Sequence, residues 1–302
     1  MALDEATTAR LKDALATVVV IPVTPMRPDG SIEWGTYTDL IRRVVDAGIT
    51  VITANGNTGE FYALTPAEAR QATENAVRAA TSEAGSGGHA DVLAGVGQDT
   101  ATAIDAARHA EQAGAQMIMI HQPVHPYQSA AGWIDYHQAI ADAVPDLGVV
   151  LYVRSEQVTG AQIAELGTRC PNVIGVKYGV RDAARFGAVA RDAGLDRFTW
   201  LAGLANVSPS LSLSLLGALQ DGDQAGAIDT WELIRPFEDL RAASASADNV
   251  SVVKEALAQI GLCGRDVRPP SRVLPKEARD AVTDILRSWS LDPAEGPAEV
   301  QP

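Results

Sequence analysis

GVVLYVRSEQVTGAQIAELGTRCPNVIGVKYG, residues 148–179, reads as strand, helix and strand in one pass. Its ends, GVVLYV (148–153) and NVIGVKYG (172–179), are near-continuous apolar runs, without the polar alternation of a strand that has one wet face. The piece between them, TGAQIAELGTR (159–169), carries its apolar residues at helical spacing. Strands that are apolar on both faces and joined by helices imply a parallel sheet covered by those helices.

The same pattern extends in both directions. VVVIPV (18–23), TVITAN (50–55), DVLAGVG (91–97) and QMIMIHQ (116–122) precede this unit, and RFTWLAG (197–203) follows it. Helical stretches separate them at 34–48, 65–80, 100–114, 129–143 and 182–194, several ending on glycine as a helix stop. A dinucleotide fold would carry GxGxxG after its first strand, and none is present there. Seven regular units in series favour a TIM-type (β/α)8 barrel over a doubly wound sheet. The barrel is expected over residues 1–222, a C-terminal helical appendage over 223–291, and a disordered proline-rich, acidic tail over 292–302.

Of 302 residues, 46% are hydrophobic, enough for a sizeable core. A net charge of −14 repels nucleic acid and anionic membrane, so neither is expected as a partner, and an acidic substrate would need a local positive site. Cys170 and Cys263 stand far apart without metal-ligand spacing, which fits a reducing cytoplasm. The N-terminus lacks the basic and apolar regions of a signal peptide, and no apolar run approaches the roughly 20 residues of a membrane span.

In a barrel of this kind the chemistry sits at the C-terminal ends of the strands. There the sequence places GNTGE (56–60), HQPVHPY (121–127), Tyr152, Arg154 and Lys177. The chain has only four lysines, at 12, 177, 254 and 276, and one of them interrupts an apolar strand. A buried lysine has a depressed pKa and a larger share of neutral amine, which attacks ketones to form an imine. The alternative is a strand-end lysine whose stem packs while its head reaches water. Tyr152 is either a core aromatic or a proton-transfer phenol beside that amine. A glycine-rich loop such as Gly56, Asn57 and Thr58 presents N–H donors to an anion without crowding it. The alternative for Gly56, Gly59 and Glu60 is that they only shape the turn and brace the helix that follows, and this is the reading favoured for Glu60. His121 and His125 lack a third ligand for zinc, so His125 is read as lining the mouth of the site. Arg154 is either a surface ion-pair partner or a clamp for a carboxylate.

Taken together, GNTGEFYALTPAEAR, DVLAGVG, GVVLY and VIGVKYG resemble the dihydrodipicolinate synthase and N-acetylneuraminate lyase family of class I aldolases, over about residues 15–290. The resemblance implies a (β/α)8 barrel that forms an imine with pyruvate or a related 2-oxo acid and uses no cofactor. It implies Lys177 as the imine-forming residue, Tyr152 as the proton-transfer residue, and Thr58 with its loop amides as carboxylate binders. A homodimer or homotetramer is the implied assembly. The synthases carry a second hydroxyl residue where this chain has Asn57, and a tyrosine where it has His125. They also carry an arginine where this chain has Gln157. The stretch around LYVRSEQ and the C-terminal DVRPPSR (266–272) look closer to the 5-dehydro-4-deoxyglucarate dehydratase branch, although Val153 replaces that branch's asparagine. The expected activity is therefore a class I lyase, aldolase or dehydratase that forms a Schiff base between Lys177 and pyruvate or a related 2-oxo (sugar) acid. The synthase proper, a metal-dependent aldolase using His121 and His125, and a non-catalytic binding protein are the alternatives.

Beyond the seventh strand the chain departs from the family. RFTWLAGLANVSPSLSLSLL (197–216) runs directly into a motif that the family reaches only after another helix and strand, so about 20 residues, close to one βα unit, are absent. SLSLSLL (210–216) alternates like a strand, but Ser208 followed by Pro209 is a helix start, and a helix is expected here.

Overall fold

The computed structural model describes residues 3–81, 88–180, 182–201 and 206–291. Seven parallel strands are hydrogen-bonded in sequence order: β1 (Val19–Val20), β2 (Val51–Ala54), β3 (Asp91–Val96), β4 (Met117–Ile120), β5 (Gly148–Val153), β6 (Val173–Tyr178) and β7 (Thr199–Leu201). Among the described residues there is no eighth strand, and β1 and β7 are not paired. The fold is a curled TIM-type barrel that lacks its final unit. The first strand is much shorter than the VVVIPV run predicts. Pro22 has no N–H to give a ladder, and β1 has a partner on one side only.

One helix precedes the sheet, α1 (Glu5–Leu15). Five more connect β1 through β6: α2 (Trp34–Asp46), α3 (Pro66–Ala80), α4 (Thr100–Ala113), α5 (Ala130–Asp142) and α6 (Gly160–Arg169). α7 (Ala183–Ala193) leads into β7. The helices begin where short polar side chains cap free N–H groups: Asp4, Thr65, Asp99, Ser129, Thr159 and Asp182 each accept from the first turn. The sequence reading did not assign α1. Leu11 and Leu15, each 1% exposed, close the inside of the curl with Val19, Val51, Leu93, Met117, Val150 and Ile174. Lys12 Nζ ties this helix to the carbonyls of Asp196 and Arg197 at 2.9 and 3.2 Å.

After β7 the serine–leucine stretch is helical, as expected: α8 (Pro209–Gln220), with the Ser208 hydroxyl accepting from Leu211 N–H. Arg43 of α2 reaches across and donates to the carbonyls of Asn206 (3.1 Å) and Val207 (2.9 Å), while Leu213 and Leu216 pack against the outer core. The missing unit leaves the ring of strands open, and the segment that leads into α8 is fastened to α2 through Arg43. Three helices follow, α9 (Gln224–Ser246), α10 (Asn249–Gln259) and α11 (Lys276–Ser288). α9 runs slightly past the predicted stretch and breaks at Ala243, Ser244 and Ala245. These helices share a core with Val23 and Leu40 of the barrel. The tail expected over 292–302 lies outside the described residues. Among the described residues no helix is long and apolar enough to cross a membrane.

Candidate active site

Strand alternation decides which side chains meet. On β5, Val149, Leu151 and Val153 join the core under the outer helices, so Val150 and Tyr152 point into the curl. On β6 the ladder slips by one residue between the Val149↔Val173 and Val150↔Gly175 pairs. After that bulge Val176 faces outward and Lys177 stands directly opposite Tyr152. The Lys177 amine lies 4.4 Å from the centre of the Tyr152 ring.

Burial pulls the Lys177 amine down to about 8, and the positive charges of Arg241 and Arg154 add to the effect. At that value about one amine in ten is neutral at pH 7, against about one in 3000 for an ordinary lysine. Tyr152 is 7% exposed, and burial raises its pKa, opposed by the Arg154 charge and by a hydrogen bond from Asn57. That bond runs from Asn57 Nδ2 to the phenol oxygen at 3.0 Å.

Asn57 belongs to a tight 3-10 turn, Asn57–Gly59, at the end of β2, in which Thr58 is buried. The turn lies so close to β1's continuation that a Cβ on Gly56 would stand 2.5 Å from Ile21 Cγ2, which is why glycine is needed there. Thr24 Oγ1 donates to the Gly59 carbonyl at 2.8 Å and fastens the turn from the other side.

His121 supports the cluster from behind. It is fully buried, stacked on Phe61 at 4.0 Å and edge-on to Tyr152 at 5.7 Å. Its Nε2 donates to the Asn55 carbonyl at 2.8 Å, above Gly95, where a Cβ would collide with both groups. Burial lowers its pKa to about 3, so the ring is neutral. His125 is exposed, and its ring bonds the Tyr127 carbonyl at 2.6 Å within its own loop, so it is not drawn into the cluster. Among the described residues no group of three His, Cys, Asp or Glu side chains could hold a metal ion. Arg154 is exposed at the rim, near enough for its charge to act on Tyr152, Lys177, His121 and Tyr62.

Lys177, Tyr152, Gly56, Asn57 and Thr58 are thus assembled at the C-terminal ends of β2, β5 and β6, with Arg154 at the edge. Sequence reasoning missed Phe61 and Asn55, which hold His121. It also missed Arg241, which arrives from α9. The bracing of Glu60 was expected, but its partner was not: Glu60 pairs with the fully buried Lys254. A buried glutamate needs a cation, and in a chain with so few lysines that signal was available.

Known proteins resemble this chain in sequence and in fold. Residues 14–209 match the Dihydrodipicolinate synthetase family. The chain is 31% identical over 293 residues to the "Probable 5-dehydro-4-deoxyglucarate dehydratase" of Rhodococcus opacus (strain B4), spanning 89% of this chain and 93% of that one. It is 30% identical to the 4-hydroxy-tetrahydrodipicolinate synthase of Gluconobacter oxydans (strain 621H), spanning 89% and 95%. The crystal structure of dihydrodipicolinate synthase from Bacillus clausii matches with a TM-score of 0.87 at 35% identity, over 93% of this chain and all of that one. By the extent of these matches, the chain belongs to the dihydrodipicolinate synthetase family.

Proposed function

We propose that this chain is a class I lyase that binds a 2-oxo acid as an imine on Lys177 and expels water from a sugar-acid substrate. The observation that carries the reading is the Lys177 amine, depressed to about 8, set over the ring of a tyrosine whose hydroxyl is held by the Gly56–Thr58 loop. The loop N–H groups and the Thr58 hydroxyl take the substrate carboxylate. The neutral amine of Lys177 adds to the C2 ketone, and Tyr152 gives a proton to the departing hydroxyl, which leaves as water. The resulting iminium draws electrons from the neighbouring carbon, whose proton passes to the Tyr152 phenolate left by the first step. Tyr152 returns that proton to the hydroxyl on the next carbon, which leaves as water, and a water molecule then hydrolyses the imine and frees Lys177. His121, neutral and immobile, takes no proton in this scheme. It sets the wall against which Tyr152 is placed.

Several relatives are named for a dehydratase of 5-dehydro-4-deoxyglucarate, a 2-oxo acid with a carboxylate at each end. Arg154 at the rim is suited to the far carboxylate, because a guanidinium grips a carboxylate with two parallel bonds. Asn57 stands where the synthases have a hydroxyl, and an amide cannot pass a proton along as a hydroxyl does. This favours the dehydratase over the synthase.

Proton NMR in deuterium oxide tests both halves of the reading. The expected result is exchange of the pyruvate methyl protons together with consumption of 5-dehydro-4-deoxyglucarate. Exchange without consumption would remove the sugar-acid assignment; neither reaction would leave a binding protein.

A further inference from the structure

The carboxylate loop is built by the barrel, but its far end is held by the C-terminal helices. Glu60 closes the Asn57–Gly59 turn with a left-handed backbone, φ 59° and ψ 34°, a conformation that a residue with a Cβ adopts only under constraint. The constraint is visible in its side chain. One carboxylate oxygen meets Lys254 Nζ of α10, and the other accepts from the Arg268 backbone N–H at 3.3 Å. Lys254 is 0% exposed and makes a second bond, to the Asp266 carbonyl at 2.7 Å.

Arg268 continues the attachment. Its guanidinium donates to the Ala63 carbonyl at 2.9 Å, to the Gly30 carbonyl at 2.6 Å, and to both carboxylate oxygens of Glu68 at 2.6 and 2.8 Å. Glu68 in turn closes the capping box that starts α3. Residues 60, 63 and 68 are therefore fastened in succession to two cations of the C-terminal region. A buried ion pair adds little net stability, because desolvation offsets its attraction. What it does impose is one geometry, since any other leaves a charge buried without a partner.

We propose that Lys254 is a positioning residue for substrate binding: beside the attachments of Arg268, it straps the end of the carboxylate loop and fixes the turn that aims its N–H groups. The inference rests on the reading of residues 56–58 as carboxylate binders. It assigns the C-terminal helices a part in the active site, in a barrel that has lost the unit next to them.

The test uses the full chain with Lys254→Met and with Lys254→Met combined with Glu60→Gln. The single variant leaves a carboxylate buried and unpaired, so its Tm falls. The double variant removes both charges and recovers most of the Tm. Amide hydrogen exchange of a peptide covering 56–63 is expected to stay faster than wild type in the double variant. The pyruvate concentration for half-maximal borohydride trapping is expected to rise about ten- to a hundredfold, with the saturated yield unchanged. Wild-type exchange and wild-type pyruvate dependence in the double variant would overturn the strap and make the pair a structural contact only. If the wild-type chain traps no 2-oxo acid, the carboxylate reading fails, and the exchange rate alone decides whether the strap exists.

Discussion

At the scale of single residues, one amine decides the chemistry. Lys177 must be neutral to attack a ketone, so the rate of adduct formation rises with pH up to about 8 and levels off above it. Arg241 lowers that value by charge repulsion, so Arg241→Gln raises the Lys177 pKa and moves the rising limb to higher pH. A limb that stays in place would show that burial and Arg154 tune the amine without Arg241. Tyr152→Phe keeps the ring under Lys177 but removes the hydroxyl that Asn57 holds. Adduct formation is expected to slow by about 10²–10⁴, as for the loss of a general acid, with little change in Tm. A slowing of less than fivefold in stopped-flow measurements would assign Tyr152 to packing. The lysine and the tyrosine were legible in the sequence because each stands in a short run whose strand character is plain. Arg241 was not, because nothing local ties a residue of α9 to a strand so far back in the chain.

At the scale of elements, seven strands and the intervening helices could be read from the alternation of apolar runs and helical spacing. Strand ends were less legible: VVVIPV has β-branched residues throughout, yet only Val19 and Val20 find a partner across the ladder. Pairing depends on a neighbour as well as on propensity. The α8 helix was readable from Ser208 and Pro209, since a cap overrides a serine–leucine alternation. The N-terminal helix α1 was overlooked, although Asp4 as a cap and the Leu11/Leu15 spacing were both present. Its contribution is measurable. Leu11→Ala opens a cavity against the interior of the curl and is expected to cost about 2–5 kcal/mol in urea unfolding. A loss below about 0.5 kcal/mol would mean that α1 only rests on the barrel.

At the scale of the whole molecule, the absence of one βα unit opens the ring of strands but leaves the candidate residues assembled. The assembled groups come from the ends of β2, β5 and β6, and β2 and β6 each lie one strand in from the gap. The gap itself is bordered by β7 and β1, and Arg43 of α2 holds the segment at Asn206 and Val207 that leads into α8. The family resemblance made the deletion visible in the sequence; how the remaining elements meet was not visible, because it depends on contacts between α2, α8 and the C-terminal helices. The central claim is that this open barrel still carries a working imine-forming lysine. Mass spectrometry after sodium borohydride treatment with pyruvate tests it directly. The account predicts one reduced pyruvate adduct per chain, mapping to the peptide that contains Lys177 and absent from Lys177→Met. An unmodified chain, or an adduct on another lysine, would contradict it.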